Sequence, residues 1–292
     1  MKHLAIVVMS TCLLGCGGGQ VVSSTSSPAE LPEPVPARRP DEKDVSDNSA
    51  SAPLELPDRL KVLARKAWIP EVTVAGSSEH TPAGSRFGGR PWLPNGVAWP
   101  VCPGCDKAMH LFCQLAVDTL PGDVPLPSGK LLQLFYCTNT DPLCEDDLSS
   151  YEPFGRAVVA RLVEAVDDAG AGSLGETSDI EPFAARPVRA WSSREDLPHP
   201  TELDELDVEV SSRVEDHLFD AELNSSATKW LGWPNWVQSV EYPRCRRCDC
   251  QMTYLLQIES DGLIPVGFGD MGIGHLSVCP FHPEEMSFHW AC

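Results

Sequence analysis

Positive charge is what this sequence has least of. Lys and Arg number 22 against 42 Asp and Glu, and the net charge is −20. Such a chain repels phosphate backbones, which excludes a generic DNA or RNA binder. The acids Glu202, Asp204, Glu205, Asp207 and Glu209 form a run rather than a constellation, so their role is a solvated surface. A long apolar run is also missing. The longest near the N-terminus, Leu4 to Leu14, has eleven residues, too few for a membrane span. No nucleophile–base pair or water-activating triad stands out, so no reaction is named. Aromatics are present in ordinary number, and 42% hydrophobic residues over 292 allow one large domain or two small ones.

Lys2 and His3 precede the eleven-residue apolar run, which then ends in Leu13-Leu14-Gly15-Cys16. That order suits a signal peptide over 1–15. It resembles a bacterial lipobox, which implies cleavage before Cys16 and acylation (palmitate among the chains) of that cysteine. An ordinary secretory signal with an incidental cysteine is the other reading. Residues 16–53 are rich in Ser, Pro and acids, cannot bury enough apolar surface to order themselves, and read as a tether. The expected location is the bacterial cell envelope, lipid-anchored on its periplasmic or outer-membrane side. The domain is expected over 54–292, and Leu60, Leu63, Ala64 and Ala67 at helical spacing suggest a helix near its start.

An internal repeat follows at a fixed shift of 143 residues, the separation of Cys102 from Cys245. Gly89 meets Gly232, Pro91 meets Pro234, and Pro100 meets Pro243. Cys105 meets Cys248, Met109 meets Met252, Gln114 meets Gln257, and Asp118 meets Asp261. A later strand in each half ends on Cys137 or Cys279, with the shift slipping to 142. The expected fold is therefore β-rich α+β: a tandem duplication of two similar β lobes, about 84–165 and 227–292, each with a Cys-x-x-Cys knuckle, and few helices. Strands are expected over His110–Leu115, Lys130–Cys137, Ala157–Ala165, Thr253–Ile258 and Gly274–Cys279. A helix is expected from Thr201 to Leu223, capped by Thr201.

Ten cysteines remain after Cys16, and an even count in an exported chain suits disulfides. Cys-x-x-Cys joined by cysteines from a later strand also has zinc-ribbon spacing. The first half offers Cys102, Cys105, Cys137 and Cys144. The second offers Cys245, Cys248 and Cys279 with His282, or with Cys292 in its place. Structural zinc at both knuckles is the favoured expectation, with a disulfide framework as the alternative. Cys113 and Cys250 fall outside the repeat. Gly267-x-Gly269-x-x-Gly272 matches a dinucleotide fingerprint only literally, since a strand rather than a helix should follow, and the glycines are expected to shape a loop beside the second knuckle. Trp230, Trp233 and Trp236 are either core or an exposed peptide platform.

Ser85-Arg86-Phe87-Gly88-Gly89-x-Pro-Trp-Leu-Pro, Leu131-Leu132-Gln133-Leu134-Phe135-Tyr136-Cys137, Gly269-Asp270-x-Gly-x-Gly and Phe288-His289-Trp290-x-Cys292 resemble the YwqG-like family of uncharacterised bacterial proteins. That resemblance covers roughly 54–292 and implies a β-rich, internally duplicated fold. A remoter similarity leads to the programmed cell death protein 2 family, whose members act as ribosomal-protein chaperones. The lipobox and tether depart from cytosolic relatives and speak against a cytosolic chaperone role. The expected function is a zinc-stabilised module that binds a protein or peptide partner, anchored to the membrane through its lipid. The alternative is an envelope hydrolase using the Asp270/His289 region.

Overall fold

The computed structural model describes residues 55–73, 82–165, 172–177 and 179–292. The expected signal peptide (1–15), the acylated Cys16, the tether (16–53) and the domain start at Leu54 lie outside the described residues.

The chain opens with a single helical turn, α1 (Asp58–Lys61), and passes into β1 (Arg65–Val72). The helix expected through Ala67 therefore stops early. Trp68, Ile69 and Val72 are strand formers, and Pro70 has no N–H for a helical bond. The first half continues with β2 (Arg86–Phe87), β3 (Trp92–Pro94), β4 (His110–Ala116), β5 (Lys130–Tyr136), α2 (Cys144–Asp147) and β6 (Val158–Glu164). After β7 (Gly172–Leu174) comes the long β8 (Arg186–Asp196), then α3 (Pro200–Glu205) and α4 (Ser212–Asp220). The second half closes the chain with β9 (Lys229–Leu231), β10 (Thr253–Glu259), β11 (Ile273–Val278) and β12 (Met286–Ala291).

The one helix expected over Thr201–Leu223 is thus two, and the cap of α3 is His199, whose side chain accepts from the Thr201 N–H. Pro200 sits at the first helical position, where its missing N–H costs nothing. The expected strands of both hairpins are present within a residue or two of their expected ends. Among the described residues, no helix is long and apolar enough to cross a membrane.

Ten strands form one sheet in the order β12-β11-β10-β9-β1-β8-β2-β4-β5-β6. Its ends approach each other: Trp290 N donates to Tyr151 O (3.2 Å), and Trp290 Nε1 donates to the Tyr136 hydroxyl (2.9 Å). β1 and β8 pair antiparallel at the centre. β1 also pairs with β9 of the second half, and β8 with β2 of the first. Each half thus lends its leading strand to the other. Beside β1, β9 covers only Ala67 and Trp68, which leaves Pro70 where β1 needs a ladder on one side only.

The halves share one core. Phe112 meets Phe268 and Phe288 edge-on, with ring centroids 6.1 and 6.3 Å apart, and Phe87, Leu132, Trp230, Leu255 and Leu276 belong to the same cluster. The 143-residue shift recurs in hydrogen bonds. Gln114 accepts from Trp92 N and donates to Pro82 O and Gly84 O. Gln257 accepts from Asn235 N and donates to Ser225 O and Ala227 O. The β4–β5 register shifts between Leu111 and Cys113, and the β10–β11 register between Tyr254 and Leu256, the same place in each hairpin.

Candidate metal centres

Each knuckle sits where its hairpin opens, before β4 or β10 and beyond the end of β5 or β11. The two turns are built by the same bonds. Cys102 N donates to Lys107 O, Asp106 N to Cys102 O, and Met109 N to Pro100 O. Cys245 N donates to Cys250 O, Asp249 N to Cys245 O, and Met252 N to Pro243 O. Asp106 and Asp249 both take positive φ, 57° and 58°, a conformation aspartate tolerates better than most residues.

These turns gather Cys102, Cys105, Cys137 and Cys144 in the first half, with all four Sγ atoms within 4.8 Å of one another. They gather Cys245, Cys248, Cys279 and His282 in the second, within the same limit. Cys105 Sγ is 3.7 Å from Cys137 Sγ, and Cys248 Sγ is 3.6 Å from Cys279 Sγ. His282 Nδ1 is 3.5 Å from Cys279 Sγ and 3.8 Å from Cys245 Sγ. A disulfide needs sulfurs at about 2.05 Å, and all ten described cysteines are free. Cys292, the alternate fourth ligand, does not join the second group. It follows β12 at the exposed end of the chain, and a Cβ on Gly269 would fall 2.3 Å from its sulfur.

The first cysteine of each pair is prepared to be a thiolate. Burial pushes Cys102 up, but the N–H groups of Gly104 and Cys105 and the neighbouring thiols outweigh it, so its pKa is held down. Burial likewise opposes ionisation of Cys245, yet the Arg247 and Cys248 N–H groups, Cys279 and His282 hold it at about 6. Both sulfurs accept an N–H two residues on at 3.4 Å. Cys144 is held up at about 11, first by burial and then by its neighbouring thiols. Cys113 lies inside β4, where burial alone pushes it up to about 12, the setting of an inert core thiol. Cys250 belongs to the second turn through its carbonyl.

The other expected site residues lie apart from these groups. Gly267, Gly269 and Gly272 do not flank the second knuckle: they occupy the opposite end of the β10–β11 hairpin, where Gly272 packs on Ala291 O and strand β11 follows. Asp270 is exposed in that loop. His289 is buried in β12 opposite His275 of β11, both ring nitrogens lack a hydrogen-bond partner, and its Nε2 lies 4.0 Å from Glu241 Oε2. His275 Nε2 donates to Asn235 O, the place that Gln133 Nε2 fills on Trp92 O in the first half. Trp230, Trp233 and Trp236 are all buried, which resolves the choice between core and platform toward core. Each indole N–H is spent internally, on Pro121 O, Leu63 O and Glu202 Oε2.

Sequence reasoning missed the buried ion pair of Lys229 Nζ with Asp196 Oδ2 at 2.8 Å, neither exposed at all. Asp196 also accepts from Trp233 N and Ser225 N. The signal was available: Lys229 is the counterpart of Arg86 at the shift of 143, inside an apolar strand.

A family model described as a domain of unknown function (DUF1963) matches residues 85–289. No curated protein matches the chain.

Proposed function

The chain belongs to the DUF1963 family, and from that premise we propose that it is a YwqG-like, zinc-stabilised binding module, carried at the bacterial envelope by a lipidated Cys16. The observation that supports zinc is the pair of four-ligand groups at equivalent hairpin ends. Zn²⁺ holds thiolate sulfur at about 2.3 Å and imidazole nitrogen at about 2.0 Å, so tetrahedral ligand atoms stand roughly 3.5–3.8 Å apart. Four of the separations between ligand atoms, 3.5 to 3.8 Å, fall in that range, and the others lie within 4.8 Å. Sulfur-rich tetrahedral sets favour zinc or iron–sulfur over harder ions, and a closed set of four leaves no position for water activation. The metal's contribution is then to folding rather than to a reaction.

A protein or peptide partner is the reading we favour for the rest of the surface. It is supported by a cavity of about 290 Å³ shared by both halves. Tyr136, Thr138, Asn139 and Glu145 line it from one side, and Pro265, Val266 and Gly267 from the other. The lipobox Leu13-Leu14-Gly15-Cys16 supports the anchor.

The decisive measurement is metal analysis of the purified chain with counting of free thiols. Close to two zincs per chain, with the knuckle thiols reduced, is the expected result. A metal-free, folded chain with those cysteines oxidised would sink the zinc reading. Mass analysis of the N-terminus in a Cys16→Ser variant tests the anchor, which predicts loss of the acylated species.

A further inference from the structure

A second cavity, of about 340 Å³, is lined by the second half together with Arg65 of β1. Its size falls in the roughly 300–1,000 Å³ range of small-molecule sites. Glu202 of α3 lines it, 4% exposed, with Oε2 accepting Trp236 Nε1 at 2.5 Å and the Tyr242 hydroxyl at 3.1 Å. Those two bonds fix one carboxylate oxygen, and among the described residues no donor is bonded to Oε1. Trp233, Tyr242 and Tyr254 supply aromatic lining. Arg65 of β1 also lines the cavity, its guanidinium 3.2 Å from the centroid of the Trp233 ring. Arg65 and Glu202 feel each other's charge, yet no nitrogen of one comes within the 4.0 Å of an ion pair with an oxygen of the other.

The repeat makes this arrangement specific. At the shift of 143, Trp233 stands where the first half has Arg90, Tyr242 where it has Trp99, and Tyr254 where it has Leu111. Trp99 spends its N–H on Met109 O, whereas Tyr242 turns its hydroxyl to Glu202. Glu202 and Arg65 come from outside the matched segments. The frame is common to both halves, but the carboxylate and the aromatic lining are particular to the second, and the cation reaches it from β1.

We propose that this cavity binds a small zwitterion with an apolar side chain, a free α-amino acid, between Glu202 and Arg65. The ammonium meets the free oxygen of Glu202 beside aromatic faces, which attract cations. The carboxylate meets Arg65, whose fork matches it. The side chain packs on Tyr242, Tyr254 and the neighbouring Leu206 and Met252. This site goes beyond the metal reading and does not depend on it.

The test is calorimetric titration of the full chain with L-phenylalanine and L-leucine, up to about 10 mM. 2-Phenylethylamine and 3-phenylpropanoate serve as probes lacking one charge each. Expected is saturable binding of an amino acid, weakened at least tenfold by loss of either ligand charge. Glu202→Gln keeps an acceptor for Trp236 and Tyr242 and should also lose at least tenfold, as should Arg65→Gln. Thr253→Trp changes an exposed lining residue, fills the cavity without touching the core, and should abolish binding. No saturable binding by either amino acid overturns the proposal. So does binding that the three variants leave unchanged, or that a singly charged probe matches. Zinc content measured on the same samples reports the metal reading separately.

Discussion

Gln257 is fully buried, and its side-chain amide is committed to backbone groups: Oε1 accepts from Asn235 N at 3.0 Å, and Nε2 donates to Ser225 O at 2.9 Å and Ala227 O at 2.8 Å. It holds the loop before β9 and the loop after it to β10. Replacing it by leucine keeps the bulk and orphans three backbone groups, two of them only part-buried, which should cost about 2–4 kcal/mol, below the sum for three fully buried groups at about 1–3 kcal/mol each. Urea unfolding of Gln257→Leu against the native chain measures this, and a cost under about 1 kcal/mol would contradict the role. Titration makes a second prediction at this scale. Burial, with a smaller contribution from Lys229, holds His199 at about 4, and burial holds His289 at about 4 despite the nearby Glu241. Unfolded histidine titrates near 6.5, so between pH 6.5 and 4 the unfolded chain binds more protons than the folded one. Stability from these two groups is therefore complete above pH 6.5 and falls as the pH drops toward 4. His289→Phe should flatten that slope by about 2–3 kcal/mol over the window, at roughly 1.4 kcal/mol per unit, as read from melting curves at stepped pH.

Hairpins with their knuckles were the elements most legible in the sequence. Leu131 to Tyr136 and Leu255 to Ile258 are apolar runs, each interrupted by a single glutamine (Gln133 or Gln257), and the matched Cys, Met and Gln positions gave their correspondence. The central strands were not legible. β1 carries Pro70 and follows residues at helical spacing, while β8 alternates poorly because much of it is exposed. Their strand character comes from pairing with each other, a long-range contact that no local pattern reports. Within the sites, Cys-x-x-Cys spacing announced two ligands of each group, and the cysteine ending the later strand, Cys137 or Cys279, the third. Sequence left the fourth ligand of the second group open, because His282 and Cys292 both follow Cys279. Only the fold puts His282 Nδ1 beside Cys279 and leaves Cys292 at the far end of β11's hairpin partner. His282→Gln should therefore lower metal content by about one ion per chain, a shift set by one closed site losing a ligand. Cys292→Ser should leave it unchanged, and the reverse pattern in a metal assay would reassign the ligand.

Across the whole molecule, the exchange of leading strands decides how the halves depend on each other. The longest pairing in the sheet runs from Arg65↔Asp196 to Val72↔Val188, and it joins a strand of the first half to the strand that leads the second. The main core draws Phe87, Phe112 and Leu132 from one half and Trp230, Phe268 and Phe288 from the other. A fragment of 55–177 would keep β1 without either neighbour, and would expose Phe112 where Phe268 and Phe288 now pack. A fragment of 179–292 would keep β8 without β1 or β2, and would leave β9 unpaired on one side. Neither fragment keeps a closed core, so neither should fold alone, although each retains a complete metal group. Expressed together, they should associate, because the β1–β8 and β1–β9 ladders and the shared aromatic cluster form only between them. The intact chain should then unfold in one transition, with tryptophan fluorescence and far-ultraviolet circular dichroism coinciding. Two separated transitions, or a stable isolated half with a cooperative melt, would show that the repeats are autonomous and that the exchanged strands are incidental to stability.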